Sequence, residues 1–270
     1  MPAATVRRIW HAGLSKPIGY LSNSLTKVYM QVEAGVAPFE FKQFRVAYDR
    51  CSTGPSTDAV VLGAWAECKK AEKILDVGCG SGLIGMMLAQ RNAQAEITGV
   101  EIDPAAAAQA KENVLLSPFA DRINIVQSDI QSYARNCEDR YDLIVCNPPF
   151  FSGGNLSSGT SRATLRSTTK LPHGDLLGAF RTLLTDAGSA VVVLPYIEGL
   201  RFCELARSYN LYHVRILQIR PEDEQPIERL VIQLDRKRME PIRYDMPMRY
   251  EGGEAHRQFK RLTKAFYTSF

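Results

Sequence analysis

Apolar residues along this chain cluster in short runs separated by longer amphipathic stretches. Runs rich in Ile, Val and Leu are expected to form strands near 74–77, 96–101, 123–126, 141–146, 189–194, 211–219 and 229–234. Between them, apolar positions recur at helical spacing, predicting helices near 56–68, 83–92, 104–116, 128–136, 173–185, 197–209 and 254–267. Strands alternating with helices imply right-handed crossovers and a mostly parallel sheet covered on both faces. The connection from Arg220 to Glu228 is short, carries two prolines and has no helical pattern. It therefore predicts a hairpin and one antiparallel strand. Residues 236–250 show neither period and are expected to cross the surface as an irregular tail.

Four strand ends carry unusual chemistry. The run Lys73-Ile74-Leu75-Asp76-Val77 enters Gly78-Cys79-Gly80-Ser81-Gly82. Such a glycine turn lets backbone approach a ligand closely. Glu101 closes the next strand, where a carboxylate can accept from both hydroxyls of a ribose. Gly80-Ser81-Gly82-Leu83-Ile84-Gly85 also fits the dinucleotide pattern, but Asp76 lies two positions before the first glycine. A carboxylate there repels a pyrophosphate and favours a cationic sulfonium bearing a free amine, which points to S-adenosylmethionine. Asp129, after the third strand, is placed to accept from the cofactor's adenine amine or to cap the helix that follows, and the two roles are compatible.

The fourth strand ends in Asn147-Pro148-Pro149-Phe150. Proline fixes its own φ and restricts the residue before it, so the Asn147 amide and the Pro148 carbonyl are held nearly rigid. Two fixed acceptors beside an aromatic ring suit the exocyclic amine of a flat, stacked substrate. The alternative is a stiff turn and nothing more. The order of the motifs, Asp-x-Gly-x-Gly-x-Gly, Glu101, Asp129 and Asn-Pro-Pro-Phe, resembles that of a class I S-adenosylmethionine-dependent methyltransferase.

The resemblance extends further. Phe39 to Phe44, Asp49-Arg50-Cys51, Thr57 to Trp65, Ala106 to Ala110, Ser117 to Ile123, Asn147 to Phe151, Val192 to Pro195 and Leu262 to Tyr267 together resemble the bacterial tRNA1(Val) adenine-N6-methyltransferase family over roughly residues 39–270. The resemblance implies a Rossmann-like domain with a seven-stranded sheet, one strand antiparallel, that methylates the adenosine just 3′ of a valine anticodon. It implies catalytic roles for Asn147, Pro148 and Phe150. It implies cofactor contacts from Thr57, Asp58, Asp76, Gly78, Gly80, Gly82, Glu101 and Asp129. The chain departs from the family in having Gly54-Pro55-Ser56 where Lys-Val-Gly is common, Phe150 where tyrosine is commoner, and Leu165 in an Arg-x-x-Ala-Arg pattern. Phenylalanine still offers a ring face for stacking.

Composition adds bounds. The net charge of +4 and pI near 8.7 are mildly basic, which fits RNA without requiring it. The Gly- and Ser-rich segment 152–170 leaves directly from the Asn-Pro-Pro-Phe motif and carries Arg162, Arg166 and Lys170 with no acid, so these are the expected phosphate contacts on tRNA, the alternative being a flexible surface loop. The six cysteines form no C-x-x-C pair, and no metal is expected. His11, His173, His213 and His256 are scattered and suggest no dyad. There is no long apolar stretch and no signal-peptide pattern, so a cytoplasmic protein with no membrane partner is expected, a monomer by default. Residues 1–38 read as an N-terminal extension and 39–270 as a single domain, with Met30 as a candidate start. Rival readings are a protein glutamine-N5 methyltransferase acting on a release factor, and a guanine-N2 rRNA methyltransferase. The first usually carries a longer helical N-terminal domain and the second a duplicated one. A noncatalytic RNA-binding module is the reading from a different class.

Overall fold

Strands buried on both faces read as nearly unbroken apolar runs, and such runs build the centre of the sheet in this computed structural model, which describes residues 36–149 and 171–270. Phe150, Arg162, Arg166, Lys170 and most of the expected N-terminal extension lie outside the described residues. The strands are β1 (Phe39–Glu40), β2 (Arg45–Val46), β3 (Lys73–Val77), β4 (Glu96–Glu101), β5 (Ile123–Gln127), β6 (Tyr141–Cys146), β7 (Leu184–Pro195), β8 (Tyr212–Glu222), β9 (Arg229–Asp235) and β10 (Ile242–Arg249). The helices are α1 (Thr57–Trp65), α2 (Leu83–Arg91), α3 (Pro104–Leu115), α4 (Ile130–Asn136), α5 (His173–Leu183), α6 (Tyr196–Ala206) and α7 (Arg257–Thr263).

Among the described residues, eight strands form one sheet in the order β10-β8-β9-β7-β6-β3-β4-β5, and β1 and β2 form a small separate antiparallel pair. β9 is antiparallel to both its neighbours, and every other pairing in the large sheet is parallel. Side chains alternate between the faces as a strand requires. Ile74, Leu143 and Val191 enter one core with α1, α2, α3 and α7. Leu75, Ile144 and Val192 enter the other with α4, α5 and α6. Helices thus cover both faces, as the alternating pattern predicts.

The sheet has one strand more than expected. Residues 242–249, expected as irregular tail, pair in parallel with β8 as an edge strand. Pro247 lies within it, opposite Arg220. An edge strand has one side free of ladder bonds, so it tolerates proline and needs no apolar alternation. Ile242 to Asp245 are all exposed and only Met246 and Pro247 are buried, which is why no period shows.

The chain runs outward from β3 to β4 and β5, then returns to build β6 and β7 on the other side. The switch in strand order therefore falls between β3 and β6, where open α/β sheets bind ligands at the C-terminal strand ends.

Candidate active site

The last residues of β3 and β6, Val77 and Cys146, are paired in register. Gly78 and Asn147, the next residue of each, therefore leave the sheet side by side, about one strand spacing of 4.8 Å apart. Val100 pairs with Val77, and Glu101 with Gln127. Glu101, the glycine turn and the Asn-Pro-Pro segment thus share one edge, with Ser128-Asp129 next to them after β5.

The glycine turn is held open by its own backbone. Gly78, Gly80 and Gly82 have φ of 67, 53 and 81°, in the left-handed region that side chains resist. A Cβ at Gly78 or Gly80 would meet nothing within 4 Å, so conformation, not crowding, demands glycine there. The amides of Gly78 and Cys79 donate to the Val100 carbonyl at 2.8 and 3.1 Å, which fastens the turn to β4.

Asp76 lies beneath this turn, only 1 % exposed. Its Oδ2 accepts from the Gly85 amide in the first turn of α2 at 3.0 Å, while Oδ1 is buried without a partner. Burial pushes the carboxyl up to about 7, the charge of Glu101 pushes the same way, and the Gly85 amide opposes both. A buried oxygen lacking a partner calls for an explanation. A cationic ligand above the turn supplies one, and the arrangement fits a sulfonium cofactor with a free amine.

Glu101 is built into the loop as well as facing it. Its Oε2 accepts from the Gly80 amide and its Oε1 from the Asp103 amide, each at 2.9 Å. Each oxygen keeps a second lone-pair direction. Between these acids stands Ile102, 58 % exposed, an apolar platform that no period in the sequence marks. Asp103 caps α3 through the amides of Ala105 and Ala106. Asp129 caps α4 by accepting from the Ser132 amide at 2.7 Å, and that bond holds its carboxyl below the usual range.

Asn147 is half-buried, Pro148 buried and Pro149 exposed, and among the described residues no peptide bond is cis. Thr57 is exposed at the start of α1, where Ser56 caps the helix. Asp58, half-buried, pairs through Oδ2 with Arg229 Nε at 3.0 Å. Because β9 runs antiparallel, its first residue, Arg229, lies opposite Pro195 at the same edge as the glycine turn. The expected Asp58 therefore sits at the ligand edge with its carboxylate held by Arg229.

The thiols nearby are held protonated. Burial pushes Cys51 up to about 11, and Cys79 and Cys146 well above their ordinary value. None of these three thiols offers a thiolate nucleophile. Among the described residues, no cluster of three or more His, Cys, Asp or Glu could hold a metal ion, and no helix is long and apolar enough to cross a membrane. A cavity of about 520 Å³ between α4 and α5, lined in part by Gln131, Arg135 and Asp175, contains none of these site residues.

Two further residues escaped the sequence reading. Gln109 and Asn113 on α3 are buried polar side chains, bonded to the segment 47–51 and to the glycine turn. Their one signal is a pair of amides four apart on the buried stripe of an alanine-rich helix.

The profile of the family described as "Methyltransferase small domain" matches residues 59–176. The chain is 42 % identical over 233 residues to a protein of Yersinia pseudotuberculosis serotype O:3 (strain YPIII) described as "tRNA1(Val) (adenine(37)-N6)-methyltransferase", covering 86 % of this chain and 92 % of that one. A Yersinia pestis (strain Pestoides F) protein of the same description matches at 42 % identity, covering 86 % of this chain and 94 % of its own length. Among solved structures, one described as a predicted O-methyltransferase from Agrobacterium tumefaciens superimposes with a TM-score of 0.60 at 17 % identity. It covers 77 % of this chain and 96 % of that one, a likeness of fold.

Proposed function

The chain belongs to the tRNA1(Val) (adenine(37)-N6)-methyltransferase family, and we propose that it methylates the N6 amine of the adenosine next to the anticodon of a valine tRNA. One observation carries this reading: Asn147-Pro148-Pro149 leaves β6 directly beside the glycine turn of β3, at the switch point of the sheet.

The family uses S-adenosylmethionine, which when bound supplies an electrophilic methyl group. Gly78, Gly80 and Gly82 give its backbone cradle, Glu101 the ribose acceptor, Asp129 an acceptor for its adenine amine, and Asp76 the buried negative charge below it. Thr57 and Asp58 border the same edge. The target adenosine is flipped out of its stack to reach the edge, and Phe150 stacks on it. The Asn147 Oδ1 and the Pro148 carbonyl accept the two hydrogens of N6. That amine is a poor nucleophile because its lone pair is delocalised into the ring. Two acceptors out of the ring plane favour a pyramidal nitrogen and free the lone pair for in-line attack. The proton then departs from a nitrogen that is already cationic, so no strong base is required. Catalysis is mostly positioning and preorganised electrostatics. Arg162, Arg166 and Lys170 are assigned to tRNA phosphates, and a tRNA substrate supports a cytoplasmic location.

The test is incubation with labelled S-adenosylmethionine and an unmodified tRNA pool, followed by nucleoside mass spectrometry. N6-methyladenosine on a valine tRNA is the expected product. Label appearing only on an added release factor would overturn the reading in favour of glutamine methylation.

A further inference from the structure

Residues 47–51 join β2 towards α1 and take no part in the large sheet. They lie instead along α3, held by two amides one helical turn apart. Gln109 is 1 % exposed and Asn113 4 %. Buried amides cost stability unless their donors and acceptors are matched, and here they are.

Asn113 Nδ2 donates to the Ala47 carbonyl at 2.8 Å and to the Ser81 carbonyl at 2.9 Å, while its Oδ1 accepts from the Ala47 amide at 3.0 Å. One side chain thereby ties the strap to the glycine turn. Gln109 Oε1 accepts from the Arg50 amide at 2.9 Å and from the Cys51 thiol at 3.2 Å, and its Nε2 donates to Asp49 Oδ1 at 2.5 Å. Outside, the Arg50 guanidinium closes on Glu112 of the same helix. Burial, and after it the charge of Glu101, holds the Cys51 thiol at the end of the strap protonated.

We propose that the strap 47–51 is the outer wall of the cofactor site, and that Gln109 and Asn113 are positioning residues that lock it against the glycine turn and so set cofactor affinity. The proposal rests on the methyl-donor reading above. Neither amide touches the reacting atoms. Their effect falls on how tightly the site closes on the cofactor, and on turnover only through occupancy.

The experiment uses the full chain without RNA. Binding of S-adenosylhomocysteine is measured by calorimetry, and amide hydrogen exchange over 47–51 is followed in the ligand-free protein. Gln109→Met keeps the helix and the buried volume but removes the strap contacts. It is expected to deprotect the Arg50 amide, to leave the Ala47 amide protected by Asn113, and to weaken S-adenosylhomocysteine binding about tenfold, the effect of losing roughly one buried hydrogen bond's worth of order. Arg50→Ala, at an exposed position, opens the same strap from outside without touching the core and is expected to weaken binding in the same direction. An opened strap with unchanged affinity in both variants would show that the strap is no wall. A strap still protected in Gln109→Met would show that the amide does not hold it. Wild-type protein that fails to bind S-adenosylhomocysteine would instead overturn the methyl-donor reading, and the proposal with it.

Discussion

Replacing Asp76 by Asn should make the ligand-free protein more stable, and only at neutral or alkaline pH. Burial pushes the folded carboxyl up to about 7 from the 3.8 of the free group. At about 1.4 kcal/mol per pH unit, keeping it ionised in the fold costs about 4 kcal/mol once pH is well above 7. The sign is the reverse of the usual carboxylate. The native state binds this proton more tightly than the unfolded chain, so its contribution falls as pH rises from 4 to 7 and is fully lost above that. Asn keeps an oxygen for the Gly85 amide but sets an NH2 where the orphan Oδ1 now lies, at a cost of about 1–3 kcal/mol. The net gain at pH 8 is therefore roughly 1–3 kcal/mol. The pH dependence is sharper, because the amide cost is the same at every pH. Between pH 5 and pH 8 the advantage of the variant should grow by roughly 3 kcal/mol, or roughly 5–10 °C in Tm for a domain of this size. Thermal unfolding of both proteins without cofactor, at the two pH values, measures it. A shift in Tm that is equal at pH 5 and pH 8 would refute the assignment of a buried, strained carboxylate. The same variant should bind S-adenosylmethionine at least about tenfold more weakly at pH 8, since it loses the charge beneath a cationic ligand.

Three other outcomes are expected. Asn147→Ala should lower turnover on tRNA by about 100-fold or more while leaving S-adenosylhomocysteine affinity nearly intact by calorimetry, and loss of that affinity in a folded variant would contradict the role given to Asn147. Gly80→Ala should cost about 1–2 kcal/mol of stability in a denaturant melt, from φ of 53° alone and not from contact. Glu101→Gln must turn an NH2 towards either the Gly80 or the Asp103 amide, and should cost about 1–3 kcal/mol in the same melt together with a loss of cofactor affinity.

The centre of the sheet was legible because burial on both faces leaves an unbroken apolar run, as in Leu143 to Cys146. The edge strand β10 was not, because a strand with a solvated side and a tolerated Pro247 carries no such signature. The glycine turn, Glu101 and Asn147 were legible as chemistry set at strand ends, and the register of Val77 with Cys146 brings them to one edge. What pairing in space adds was hidden. Asp58 meets Arg229 across 171 positions, and Asn113 meets Ala47 across 66, with nothing local to announce either partner. Glu101 could be read as a ligand group but not as a brace of the turn it faces.

The clamp on α3 also has a consequence for the order in which the chain becomes a protein. Ala47 and Arg50 leave the ribosome well before the side chains that fasten them, which lie 66 and 59 positions further on. Until then their amides have only water. Long separations of this kind slow folding, because the loop must close before any contact rewards it. On the strap reading proposed above, the nascent chain does not complete one side of its binding cleft by local folding. It does so only after α3 has docked, so that cofactor capture by a growing chain reports on the arrival of that helix.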